Sequence, residues 1–247
     1  MNLRQACGNH ILSSIPESVY ETWQAHFEHV HLPQGKVLHE PGKSVAHVYF
    51  PTSAIVSWIY VLENGATTEV AMTGREGVVG LYLLLGNDPT PNQAVVQTAG
   101  MAIRIRLSVV LNSFNEGQAV QRLFLRFAYA LINQMGQGNV CRQHHSVEQQ
   151  LCRMLLMIMD RQDSLHVHKT HEAFSNLLGV RREAVSLAAA RLMQDGLISY
   201  SRGRMEVLNR QGLQQQACEC YGVLRQQYLP MLQKSPPNDT ATQTETI

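Results

Sequence analysis

Three histidines fall within six residues in HVHKTH, at His166, His168 and His171. Clustered imidazoles can hold zinc. Thr170 interrupts them, however, and no histidine follows His171 in the chain. A second candidate is GREGVVG, Gly74 to Gly80, whose glycines could let backbone amides approach a phosphate. It lacks the Gly-Lys-Ser/Thr of a nucleotide-hydrolysing loop, and no lysine or arginine occurs between Arg75 and Arg104. The five cysteines, at 7, 141, 152, 218 and 220, show no ligand spacing, because Cys218 and Cys220 form a C-x-C with no second pair. They read as free thiols in a reducing cytoplasm, and no metal is assigned.

The strongest chemistry lies in GVRREAVSLAAARLMQDGLISYSRGRMEVLNR. Residues 166–212 carry seven Lys/Arg against four Asp/Glu, a surplus of three cations in a chain whose net charge is +1. A polyanion surface is therefore local to this stretch. Thr170 is a natural N-cap for a helix that Gly179 ends. A second helix follows, with Val185, Ala188, Ala189 and Leu192 facing inward and Gly196 as its stop. Two short helices joined at a glycine turn, followed by the hairpin LISY-SRGR-MEVL, spell a winged helix-turn-helix. Arg181, Arg182, Glu183 and Ser186 then stand on the first turns of the helix that enters the major groove, with Arg191 further along it. An arginine can bind guanine bidentately and a glutamate can accept from cytosine. Arg202 and Arg204, at the wing tip, suit phosphate.

These residues need elements to hold them. Residues 1–27 read as irregular helix. From about 28 to 107, short β-type runs alternate with turn residues, and Asn64–Gly65 is the clearest hairpin signal. The segment AVQRLFLRFAYALINQM is helical, with Val120, Leu123, Phe124, Phe127 and Leu131 on an apolar stripe wide enough to call for a partner helix. A stripe buried within its own chain would give the same pattern. SVEQQLCRMLLMIMDR is a further helix, and RQGLQQQACECYGVLRQQYLPML an amphipathic one.

The whole resembles the Crp/Fnr family of bacterial transcription regulators over residues 25–212, most specifically in THEAFSNLLGVRREAVSLAAARLMQDGLISYSRGRMEVL. The resemblance implies an α+β chain with three parts. Residues 1–115 form an effector-type β-barrel of the cyclic-nucleotide-binding kind, and 116–140 a dimerisation helix. The winged helix-turn-helix occupies 141–232, and the polar segment 233–247, with two prolines and no core former, is expected from its composition to be a disordered tail. The resemblance also implies a homodimer on double-stranded DNA, in contact with RNA polymerase, in the cytoplasm and not at a membrane. Arg182 and Glu183 match the family's base-reading pair, and Ser186 a base-contact position; Leu187 falls where many members have a second reading arginine.

The barrel departs from the pattern. Gly77 and Gly80 remain of the phosphate loop, but Leu81 stands where the ribose-binding glutamate would be, and Asn92 and Gln93 lie in the arginine-free segment. A cyclic phosphate needs a fixed cation and a ribose an acceptor, so cyclic AMP is not expected. The cysteine count argues against an iron–sulfur cluster of the N-terminal kind and against haem on a barrel thiolate. His26, His29, His31, His39 and His47 are scattered histidines and do not define a haem site. The HVHKTH motif is similar to that of metallo-β-lactamase-type hydrolases, which draw further histidines from downstream, and here there are none. The expected function is a DNA-binding, non-enzymatic transcription regulator answering to a small effector other than cyclic AMP. The alternative is a ligand-independent DNA binder whose barrel serves only dimerisation or protein contact.

Overall fold

The computed structural model describes residues 7–86, 92–162 and 164–232, so the tail expected at 233–247 lies outside the described residues. Helices α1 (His10–Ser14) and α2 (Glu17–Gln24) precede strands β1 (Glu28–Leu32), β2 (Val37–His39), β3 (His47–Pro51), β4 (Ile55–Val61) and β5 (Thr67–Thr73). Next come α3 (Tyr82–Leu85), β6 (Gln93–Thr98), β7 (Gly100–Arg106), α4 (Leu107–Glu116) and the long α5 (Gln118–His144). The remainder runs α6 (Val147–Arg161), β8 (His166–His168), α7 (His171–Leu178), α8 (Arg182–Gln194), β9 (Ile198–Ser201), β10 (Arg204–Val207), α9 (Arg210–Gln216) and α10 (Glu219–Leu232).

Period-two burial builds the N-terminal unit. Val48 and Phe50 of β3, and Ala94 and Val96 of β6, point inward, while His47, Tyr49, Gln93 and Val95 are only half buried. Two antiparallel sheets result, ordered β1-β7-β3 and β2-β6-β4-β5. They make a jelly-roll-like sandwich rather than a closed barrel. The Asn64–Gly65 hairpin stands between β4 and β5 as expected. Its loop spans 62–66, with Gly65 at φ +81° and the Asn64 side chain accepting from the Ala66 amide at 3.0 Å.

Helices seal the sandwich. Trp23 packs at 6.0 Å from Phe50 and 6.4 Å from Phe124, and its indole donates to Ser113 Oγ at 2.9 Å. Val120, Phe124, Phe127 and Leu131 of α5 all lie in this same core. Phe127 fits beneath the loop so closely that a Cβ on Gly77 would sit 2.2 Å from its ring. A second core gathers α6, α7, α8, the wing and α10. α6 is buried on every side from Gln150 to Met159, and a Ser146–Gln149 capping box starts it.

The two cores are welded together. Gln134 of α5 pairs its side-chain amide with both Met72 N and Met72 O of β5 at 3.0 Å. Arg161 of α6 donates to Glu76 at 2.7 Å, and both are almost fully buried. Glu76 also accepts from Gly74 N at 3.1 Å. Lys169 Nζ donates to Gln97 O at 2.9 Å, and Arg142 to Glu69 O at 3.2 Å.

Glu69 lies at the centre of this junction, accepting from Ser57 and Gln97, with Lys169, Arg153 and Arg161 acting on it. Burial dominates and lifts it from its ordinary 4.5 to about 7. A carboxyl whose folded value is raised stabilises the fold below its unfolded value, and that stability is lost as pH rises through the folded value. About 3 kcal/mol should therefore disappear between about pH 4.5 and about pH 7. Glu69→Gln, which mimics the protonated acid, should melt with the parent at about pH 5 and above it at about pH 8. A variant less stable than the parent at the higher pH would show that the carboxylate is held by its cations instead.

Candidate nucleic-acid interface

Thr170 Oγ1 accepts from Ala173 N at 3.1 Å and so begins α7. Gly179, left-handed at φ +70°, ends it. Arg181 is the N-cap of α8, and Arg182 is its first residue. Val185, Ala188, Ala189 and Leu192 face the second core. That orientation leaves Arg181, Arg182, Glu183, Leu187 and Arg191 exposed on the opposite face. Leu187 is 57% exposed, a large apolar side chain on the face that would meet a groove.

The wing is a three-stranded sheet, ordered β8-β10-β9. Its hairpin closes in two residues, Arg202 at φ +50° and Gly203 at φ +78°, so both central positions are left-handed, as a tight hairpin of this length requires. Arg202 is the one non-glycine with positive φ among the described residues, and its side chain projects from the tip together with that of Arg204. Among the described residues Arg181, Arg182, Arg202 and Arg204 have no acidic partner. Arg191, by contrast, lies 3.6 Å from Glu148 of α6. Arg210 is tied to Asp160 and Tyr221.

Two of these residues make contacts that the sequence did not suggest. Ser186 Oγ donates to Arg182 O at 3.1 Å and meets His171 Nδ1 at 2.9 Å, so it is turned toward α7 rather than outward. His171 stacks on Tyr200 of β9 at 4.1 Å, joining the starts of α7 and α8 to the wing. Sequence reasoning missed this positioning role, and also β8, because HVH is too short for a periodic signal. His166, His168 and His171 do not converge on a common point. Among the described residues one group of potential metal ligands does converge: Cys141, His145, Cys218 and Cys220. Their sequence spacing gave no hint of it.

The effector residues lie in the core of the sandwich or beside it. Leu81 is 3% exposed in the core, and Gly80, at φ +105°, is crowded by Val48 and His39. His39 packs against Tyr82 at 5.7 Å and Tyr49 at 6.0 Å, and Trp58 against Tyr82 at 6.0 Å. Asn92 is buried at the start of β6, and Gln93 pairs with Ile59 across the sheet. His39 is 2% exposed, and burial lowers it to about 4, which keeps the ring neutral. The backbone of His47 acts weakly against that burial.

The dimer stripe expected from sequence is corrected by the core. Val120, Phe124, Phe127 and Leu131 are buried inside their own chain, and Leu123 packs against that core. The four buried ones are unavailable to a second copy. A different face of α5 is bare: Leu125, Tyr129, Ile132 and Val140 are 46–66% exposed.

A sandwich of this kind, a long helix and a winged helix-turn-helix together define a class of DNA-binding regulators. A model of the cyclic nucleotide-binding domain matches residues 29–116, and one of the Crp-like helix-turn-helix domain matches 149–216. The chain belongs to the Crp/Fnr family of transcription regulators, and as such it is a DNA-binding protein and not an enzyme. Solved structures agree in fold. A putative Crp/Fnr regulator from Eubacterium rectale is 13% identical with a TM-score of 0.65, covering 82% of this chain and 94% of that one. The c-di-GMP-responsive regulator CLP of Xanthomonas campestris is 15% identical with a TM-score of 0.63, covering 78% and 99%. FixK2 of Bradyrhizobium japonicum is 15% identical with a TM-score of 0.64, covering 78% and 98%. No curated protein matches the sequence. Among the described residues no helix is long and apolar enough to cross a membrane.

Proposed function

We propose that the chain acts as a homodimer on a specific double-stranded DNA site, controlled by a small effector other than cyclic AMP. The observation that carries this reading is the set of four unpaired arginines on α8 and the wing. Arg182 and Glu183 read bases, while Arg181, Arg202 and Arg204 hold phosphates. Two recognition helices fit one DNA face only when about 34–36 Å apart, so the dimer seam sets what can be bound. In vitro selection from random duplexes should return a two-fold symmetric site with half-sites one turn apart; selection of no consensus would sink the reading.

The route from effector to DNA runs through the junction. The loop carrying Gly77 holds α6 through Glu76 and Arg161, and β5 abuts the turn of the helix-turn-helix, where Gly179 lies 3.5 Å from Thr68 Oγ1 when given a Cβ. A ligand acts by favouring one geometry of this junction over another.

That effector is neither cyclic AMP nor cyclic GMP. Loss of the arginine–phosphate and ribose contacts, at roughly 2 kcal/mol each, weakens binding about a thousandfold. Calorimetric titration with cyclic AMP and cyclic GMP should be flat up to millimolar concentration. A micromolar dissociation constant for either would show that backbone amides near Gly77 and Gly80 replace the missing side chains.

A further inference from the structure

Cys141 and His145 stand at the end of α5, where the chain turns into α6. Cys218 and Cys220 stand where α9 passes into α10. The three sulfurs and one imidazole nitrogen lie within 4.8 Å of one another. Cys141 Sγ is 3.5 Å from Cys218 Sγ, and Cys220 Sγ is 3.5 Å from His145 Nδ1. The three cysteines are at most 4% exposed and form a cluster of their own, apart from both main cores.

We propose that Cys141, His145, Cys218 and Cys220 form a tetrahedral zinc site that clamps the end of α5 to the start of α10. Bonds of about 2.3 Å to sulfur and about 2.0 Å to nitrogen give a tetrahedron with sulfur–sulfur edges near ~3.8 Å and sulfur–nitrogen edges near ~3.5 Å. The two 3.5 Å separations match those edges to within a few tenths of an ångström, and the others need only a small closure. Three thiolates and an imidazole in a closed, four-ligand arrangement select a structural zinc ion. An iron–sulfur cluster spreads its four ligands over two or four irons, so some of them must stand further apart than the 4.8 Å that encloses this group.

The surroundings fit a liganded imidazole and thiolate. His145 Nε2 lies 3.2 Å from Glu219 Oε2, so a proton held there leaves Nδ1, the nitrogen facing Cys220, with its lone pair free. Gln137 Nε2 donates to Cys220 Sγ at 3.0 Å, a hydrogen bond suited to a thiolate acceptor. Binding converts three thiols to thiolates and releases three protons, leaving one net negative charge among the ligands. The clamp fixes the angle at which the DNA-binding unit leaves α5. The site itself stands independently of the DNA reading proposed above.

The test is metal analysis of the 247-residue chain purified under reducing conditions without chelator. One zinc per chain is expected. Cobalt added to the metal-stripped chain should give the intense visible bands of a tetrahedral site and thiolate charge transfer in the near ultraviolet. Cys218→Ser should lose most of the zinc. His145→Cys, which keeps four ligands, should retain it, and so should Cys152→Ser, a buried cysteine outside the group. Zinc removal should lower the melting temperature of the parent and leave that of Cys218→Ser unchanged. A chain that holds no zinc and takes up no cobalt overturns the proposal. So does iron with acid-labile sulfide, a Cys141–Cys218 disulfide in the reduced preparation, or full zinc content in Cys218→Ser.

Discussion

Ile132→Glu should turn the proposed homodimer into a monomer and remove most of its affinity for the proposed two-fold operator. Arg122, Leu125, Tyr129, Ile132, Gly136, Asn139 and Gln143 follow one another at alternating spacings of three and four on α5, and all seven are exposed. That 3.5-residue period is the seam of a left-handed coiled coil. Gly136 has nothing within 4 Å of an added Cβ, so a second helix could approach closely there. Ile132 is 66% exposed in the single chain, and burying it contributes about 1.5–3 kcal/mol per copy. A glutamate at that position places two carboxylates together without partners, which costs several kcal/mol more. Sedimentation should show a monomer, with the melting temperature close to that of the parent because Ile132 supports no core within its own chain. The contrasting replacement, Phe127→Glu, should unfold the sandwich. An Ile132→Glu chain that stays dimeric would move the seam off α5.

The same helix shows where sequence reading succeeds and where it stops. Its apolar residues were legible, but it has two apolar faces, and periodicity cannot name the partner of either. Phe124 and Phe127 carry more apolar surface than Leu125 and Ile132, so they marked the seam from sequence. In the fold, that larger surface is consumed by the sandwich, where Trp23 and Phe50 meet Phe124. The signal for the second face was present as Leu125, Tyr129 and Ile132 at spacings of four and three. The reading head was legible because its determinants are local: a Thr170 cap, a left-handed Gly179 and a two-residue turn at Arg202–Gly203. The cysteine group was not, since 77 positions separate Cys141 from Cys218 and only the fold brings them together. The junction around Glu69 and Lys169 was equally hidden, because no local pattern tells a buried charge from a solvated one.

Arg182→Ala and Arg204→Ala should both weaken operator binding, in ways that differ in kind. Arg182 is exposed on the first turn of α8, with no acid beside it to satisfy its guanidinium, so it can present both donors to a guanine edge. Its removal should cost about 1–3 kcal/mol on the selected operator and relax the preference at one base pair, with little change on random DNA. Arg204 extends from β10 beside the turn formed by Arg202 and Gly203, and the proposed role for it there is a phosphate contact. Its removal should lower affinity for all duplexes by a similar factor and reduce the slope of log affinity against log salt by about one. Glu183 separates the two modes further, since a carboxylate repels phosphate and is favourable only where it accepts from a base amine. Glu183→Ala should therefore weaken operator binding while raising affinity for random DNA. Binding isotherms on both duplexes at several salt concentrations resolve all three variants. Equal losses on operator and random DNA for Arg182→Ala would remove base reading from α8 and leave the helix as a backbone contact only.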